Sequence, residues 1–284
     1  MRLHRLWRSP VGRPRAPRYV PAIVVKGLKY IIPEMKYLPN GWPTTDACAE
    51  KGWADQTVAD AQEAHWPVLV QNLEGTGPLG IAHFPWSQSR EDRINHNAMM
   101  TFGYVLARAG RNVDRMSILD WGGAAGHYYL YSRALLPELE VDYHCYDLPN
   151  LCRLGRRLLP GVRFYDDSAD LSGKEFDLVL SSSALHYVED WRSPSRMLAR
   201  LSRKYLYVGR LQSVLQPPSF VAVHRIHRAG YSRFLTWCLY RDEFVRCIEE
   251  AGLQLLREFV YADPWRVRGA PHPVETRGYL FQRR

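Results

Sequence analysis

No run of apolar residues in this chain approaches the ~18–20 that a bilayer-spanning helix needs. No short apolar core with a small-residue cleavage site marks a secretory leader, so the expected location is cytoplasmic. Cysteine is scarce: Cys48, Cys145, Cys152, Cys238 and Cys247 make an odd set with no C-x-x-C in it. Free thiols fit that pattern, and a structural zinc site does not, so no metal is expected. The phosphate-loop pattern G-x-x-x-x-G-K-[ST] is missing. No Tyr is followed four residues later by Lys, which removes the short-chain reductase mechanism.

Charge is abundant but local. The chain of 284 residues carries a net +9, with 38 basic and 29 acidic side chains. Nine of the basic residues lie in positions 1–42 against the single acid Glu34, so the remainder is nearly neutral. A neutral body argues against a nucleic-acid-binding face across the core. Residues 1–42 read as a basic arm. Within it, residues 21–38 interleave apolar and Lys positions. That pattern suits peripheral contact of residues 1–38 with an anionic membrane surface, or packing on the arm's own domain or on a partner subunit, which leaves a homodimer open.

The rest divides into a helical cap region, 43–112, and an α/β domain, 113–284. Gly41-Trp42-Pro43 and Gly52-Trp53 bracket a short helix, and 55–73 gives a second. Residues 87–110 give a third, capped by Ser89 with Asp92 three positions on. Its half-polar face, His96, Asn97, Met100 and Tyr104, would suit a helix closing over a ligand. From 113 onward strands at 117–121, 141–147, 162–166, 176–182 and 204–210 alternate with helices at 126–136, 149–159 and 191–202. That alternation is the mark of a parallel, doubly wound sheet. Residues 211–240 interrupt it as an insertion or lid, before a helix at 241–251 and two last strands, 253–261 and 278–282.

The chemistry gathers at 117–126, Ser-Ile-Leu-Asp-Trp-Gly-Gly-Ala-Ala-Gly. A buried strand runs into three glycines and then a helix start, where main-chain N–H groups are free to meet a ligand. The glycines do not fall as G-x-G-x-x-G, and Asp120 would repel a pyrophosphate. An acid there suits a ligand bearing an amino group and a sulfonium. Asp147 ends the next strand, about where a ribose-binding acid belongs.

Leu119-Asp120-Trp121-Gly122-Gly123-Ala124-Ala125-Gly126 resembles the L-D-x-G-x-G-x-G turn of class I S-adenosylmethionine (SAM)-dependent methyltransferases, with Ala124 in place of the middle glycine. The resemblance extends over most of 113–284. It implies a Rossmann-like α/β fold with an antiparallel last strand, SAM as cofactor and S-adenosylhomocysteine as product. It places Asp120, Gly122, Gly123 and Gly126 in the turn, and Asp147 with Leu148 in Tyr-Asp-Leu-Pro at the ribose. Asp167, or Asp166 beside it, would read the adenine amino group, with Ser168 next to them. In 176–191, Ser182 and Ser183 would border the methyl group.

The spacing of Asn97, the glycine turn, His127-Tyr128-Tyr129 and Glu189-Asp190-Trp191 is similar to a narrower group of methyltransferases associated with polysaccharide or specialised-metabolite biosynthesis. The implied reaction is methylation of a hydroxyl on a small molecule or glycan precursor. N- or C-methylation and a non-catalytic scaffold are the alternatives. No N-P-P-Y-type amine-activating motif follows the fourth strand, which favours oxygen as the acceptor. His186, just past that strand, is the candidate base, or else shapes the pocket. His127 would cap its helix, touch the methionine moiety or do acid–base work. His96, Asn97, Tyr128, Tyr187, Arg210, His224, Tyr231 and Trp237 are the candidate acceptor-side residues.

Overall fold

A computed structural model describes residues 35–43, 52–80, 90–226 and 232–284. Seven strands make the main sheet: β2 (Arg115–Trp121), β3 (Glu140–Tyr146), β4 (Arg163–Tyr165), β5 (Phe176–Ser182), β6 (Ser202–Val214), β9 (Leu253–Val260) and β10 (Glu275–Arg283). Their order is β4-β3-β2-β5-β6-β10-β9. The five strands from β4 to β6 are parallel, and β10 runs antiparallel to both β6 and β9. Between β2 and β5 the chain reverses its direction of travel across the sheet. Such a reversal opens a crevice beyond the carboxyl ends of the strands.

The strands are buried on both faces, so their side chains alternate between two cores. Ile118, Leu178, Leu180 and Tyr207 pack toward α2 (Arg90–Ala109), α3 (His127–Leu135) and α4 (Pro149–Leu158), with Phe102, Tyr131 and Leu154 among their partners. Leu119, Val179, Leu206 and Val208 pack toward α5 (Arg192–Leu201) and α6 (Arg241–Glu249), against Leu198, Phe244 and Ile248. Helix α1 (Gln56–Glu74) begins at Asp55, whose carboxylate accepts from the Thr57 N–H at 2.8 Å, and it continues through Pro67. No described helix is long and apolar enough to cross a membrane. The proposed Ser89 cap lies outside the described residues.

The insertion is a sheet. β6 runs on to Val214 because Leu211, Ser213 and Val214 are all buried. β7 (Phe220–Ile226) and β8 (Ser232–Tyr240) then form an antiparallel hairpin, whose end joins β6 through Ser213–Leu239 and Val214–Tyr240. β1 (Met35–Leu38) pairs antiparallel with the far side of β7. Residues 35–38 of the expected arm are therefore a strand of this sheet, with Met35 buried beside Val214, Phe220 and Cys238. Residues 1–34 lie outside the described part. For 35–38 the outcome is packing on the arm's own domain, with main-chain groups met by ladder pairing to β7.

Candidate functional site

The turn after β2 is built for close approach. Gly122 has φ +75°, and a side chain there would run into Ala184. At Gly123 a Cβ would strike the Asp120 carboxylate and come within 2.8 Å of Cys145 Sγ. Two bare positions leave main chain as the wall of the crevice. The turn is tied to the next strand end: Gly122 N–H donates to Tyr146 O at 2.8 Å, and Ala124 N–H to Asp147 Oδ2 at 2.6 Å. Asp147 Oδ1 accepts from the Leu148 N–H at 2.6 Å. Burial pushes the Asp147 carboxyl up to about 6, against the pull of those two N–H groups. Each carboxylate oxygen still has lone-pair capacity for a ligand hydroxyl.

A cavity of about 440 Å³ opens over these residues. One end lies over the tips of β2, β3 and β4 and is walled by Trp121, Gly122, Gly123, Ala124, Tyr146, Asp147, Leu148, Leu151 and Asp166. Trp121 and Tyr146 lie nearly parallel there, ring centroids 6.1 Å apart. Asp166 is paired with Arg156 at 3.1 Å. The other end lies over β5 and β6, where Ser182, Ser183, Ala184, Tyr187 and Arg210 meet Trp53, His65, His127 and Tyr128. The Tyr128 hydroxyl donates to Ser182 Oγ at 2.8 Å. Trp53 packs on Tyr187 and on Phe234 of β8, with centroids 5.2 and 4.4 Å apart.

Of the residues expected at the cofactor, Gly122, Gly123, Asp147, Leu148, Asp166, Ser182 and Ser183 line this cavity. The others do not. Asp120 lies fully buried beneath Gly123, where Tyr143 donates to its Oδ2 at 2.5 Å. Burial raises its carboxyl to about 7, so it shapes the turn from below. Gly126, φ +90°, exists for packing, since a Cβ would come within 2.8 Å of Leu159 and 3.2 Å of Phe164. Asp167 is spent on its own backbone: its Oδ1 accepts from the Ala169 N–H at 2.9 Å and starts the short 3-10 turn that Ser168 opens. The acid that faces the cavity is Asp166.

His186 is the largest correction. Its ring is wholly buried, both nitrogens lack a hydrogen-bond partner among the described residues, and it does not reach the cavity wall. Burial drives its pKa down to about 3, so it is a neutral ring packed 4.3 Å from Tyr187. On the acceptor side, Tyr128, Tyr187 and Arg210 line the cavity. His224 stands behind Tyr187, its Nδ1 3.2 Å from the phenol oxygen. Trp237 stacks on Trp42 and donates to Glu189 O at 3.0 Å, away from the cavity. His96 is bound to Leu79 O and Asn97 to Tyr261 O, so the half-polar face of α2 holds loops together. Tyr231 lies outside the described residues.

The α2 residue that acts on the site through another is Asn95, buried, whose Oδ1 accepts from Nη1 of the cavity-lining Arg210 at 2.9 Å. It was hidden by helical phase. His65, His127 and Trp53 also belong to the wall. His127 carried a signal in its place after the glycine turn, and Trp53 as a large aromatic in a Gly-rich connection; His65 carried none.

No protein-family model matches the chain, and no curated relative matches it. Among solved structures it is similar to a protein described as a sarcosine dimethylglycine methyltransferase from Galdieria sulphuraria, at 14% identity and TM-score 0.49, over 78% of this chain and 98% of that one. It is similar at 17% identity and TM-score 0.45 to the 1,6-didemethyltoxoflavin-N1-methyltransferase of Burkholderia thailandensis, over 78% and 90% of the two chains. The CcbJ methyltransferase of Streptomyces caelestis aligns at 13% identity and TM-score 0.46, over 73% and 97%. These values mark distant likenesses; the chemistry has to be read from the cleft itself.

Proposed function

We propose that this chain is a SAM-dependent methyltransferase acting on a hydroxyl of a small molecule or glycan precursor. One observation carries the reading: the Gly-Gly-Ala turn and Asp147 form a single hydrogen-bonded unit at the sheet's reversal point, in a parallel sheet whose last strand is antiparallel, as the sequence resemblance implies. The β2–β4 end of the cavity fits an adenosine. Asp147 has capacity for the two ribose hydroxyls, Asp166 stands where an exocyclic amine would arrive, and Tyr146, Leu148 and Leu151 offer apolar cover. A pyrophosphate fits poorly, because the acids at this end repel it and Arg156 is already paired.

Bound SAM supplies an electrophilic methyl group on a sulfonium. The protein's share is to hold an acceptor oxygen in line with it and to keep water out, work in which positioning is the largest contribution. A hydroxyl acceptor must also lose a proton. His65 and His127 face the cavity while His186 does not, so the proton-accepting role falls to that pair. Burial and the neighbouring His65 lower the His127 pKa to about 4, which keeps its ring neutral near pH 7.

Replacing Asp147 by Ala should weaken S-adenosylhomocysteine binding by about 1–3 kcal/mol through loss of charge-assisted hydrogen bonds. Isothermal calorimetry reads this directly. An unchanged affinity would remove the ribose assignment.

A further inference from the structure

Arg210 is placed by a distortion. Tyr279 of β10 pairs with Val208 and Arg277 with Leu211, so Gly209 and Arg210 together oppose the single residue Gly278. This is a β-bulge, a device that bends a strand and re-aims a side chain. Arg210 takes φ +51°, a left-handed conformation that strains a non-glycine residue. The neighbourhood enforces it: the Tyr261 hydroxyl occupies the space that any side chain at Gly278 would need, is 2.6 Å from the Tyr207 hydroxyl, and bonds the Arg210 backbone.

The re-aimed guanidinium is pre-set. Nε donates to Ser182 Oγ at 3.0 Å and Nη1 to Asn95 Oδ1 at 2.9 Å. The Tyr128 hydroxyl is a third neutral neighbour within hydrogen-bond reach of the group, and no carboxylate forms an ion pair with it among the described residues. Asp120 lies within range of its charge, yet is bonded to Tyr143. A cation fixed by neutral partners, with no ion-pair partner among the described residues, stands in the wall of the β5–β6 end. The aromatic residues Trp53 and Tyr187 line the same end. The two ends thus differ in charge: Asp147 and Asp166 at one, Arg210 at the other.

We infer that the acceptor is a planar aromatic acid, its ring against Trp53 and Tyr187 and its carboxylate on Arg210. The inference rests on the methyltransferase reading for the identity of the site, and it makes Arg210 the residue that selects the acceptor. Guanidinium suits the role because its planar fork can meet a carboxylate through more than one N–H.

The test uses the full chain and three probes in calorimetry: S-adenosylhomocysteine, then 4-hydroxybenzoate and its neutral isostere 4-hydroxybenzamide on the protein saturated with the first. The acid should bind at least tenfold more tightly than the amide. Arg210→Gln should abolish that preference and leave S-adenosylhomocysteine within about threefold, while Arg210→Lys should retain part of it. Thermal unfolding of both variants shows that each is folded. A preference that survives in a folded Arg210→Gln variant overturns the inference, as does equal binding of acid and amide by the unsubstituted protein. The competing source of the anion is the cofactor's own carboxylate. If Arg210→Gln weakens S-adenosylhomocysteine tenfold and spares 5′-methylthioadenosine, which lacks that carboxylate, Arg210 belongs to the cofactor and the inference fails. Absence of any S-adenosylhomocysteine binding by the unsubstituted protein would instead overturn the methyltransferase reading.

Discussion

Three buried titratable side chains around the turn have distinct jobs, and pH separates them. Asp147 faces the cavity with its carboxyl raised to about 6 by burial. A protonated carboxyl loses its power as a double acceptor, so S-adenosylhomocysteine affinity should be flat above about pH 7 and fall toward tenfold per unit below 6. Calorimetry across that range checks it. Asp120, raised to about 7, holds its proton more tightly folded than unfolded. The folded state therefore binds more protons between about pH 4 and 7, and this group's contribution to stability falls as pH rises through that window. Asp120→Asn removes the buried charge and keeps an acceptor for Tyr143. Its stabilising effect should be larger near pH 8 than near pH 5, by roughly 2 kcal/mol in urea unfolding. His186 is lowered to about 3, so its burial costs stability as pH falls below its ordinary value near 6.5. His186→Leu should leave turnover within a few-fold and make the protein less sensitive to acid. A drop in turnover of roughly 10²-fold or more would return His186 to the role of base.

At the scale of the element, the β6 bulge sets backbone strain against side-chain use. Arg210→Gly and Arg210→Ala both delete the guanidinium, but only Gly relieves the positive φ. The Gly variant should be the more stable by about 1–2 kcal/mol, read as a difference in unfolding free energy. Equal stabilities would mean that the backbone at 210 relaxes freely. This element also marks where sequence reading stops. Val208, Leu211 and Val214 look like ordinary buried strand, and nothing in Gly209-Arg210 announces that one residue of β10 faces two. α2 hides its useful residue for a related reason: Asn95 and Asn97 sit about 200° apart on the helix, and only the packed partner decides which one meets Arg210. Asp167 had its own local signal, a short acid at the start of a turn, which competed with the expected ligand role and won. The glycine turn and Asp147 were legible because their chemistry restricts residue type: bare main chain where a ligand must come close, and a fixed acid at the next strand's end.

The whole molecule places one crevice at the reversal of a parallel sheet and roofs part of it with an added sheet. β7 and β8 leave the tip of β6, pass beside the loop after β5, and bring Phe234 against Trp53 and Tyr187. The alternation of buried strands and amphipathic helices made the parallel sheet legible, though not the order of its strands. The roof was not, because aromatic and basic residues in 211–240 obscure the two-residue period of its strands. Its extra strand comes from residues 35–38, far away in sequence, and a segment of four residues carries no pattern of its own. The central claim is that the crevice holds an adenosine joined to a sulfur-linked amino acid. Calorimetric titration of the purified protein with S-adenosylhomocysteine, with NADH and ADP run beside it, tests that claim most directly. Micromolar binding of S-adenosylhomocysteine alone is the result expected from an acidic, glycine-walled end without a free cation. Preference for either pyrophosphate-bearing nucleotide would contradict the account.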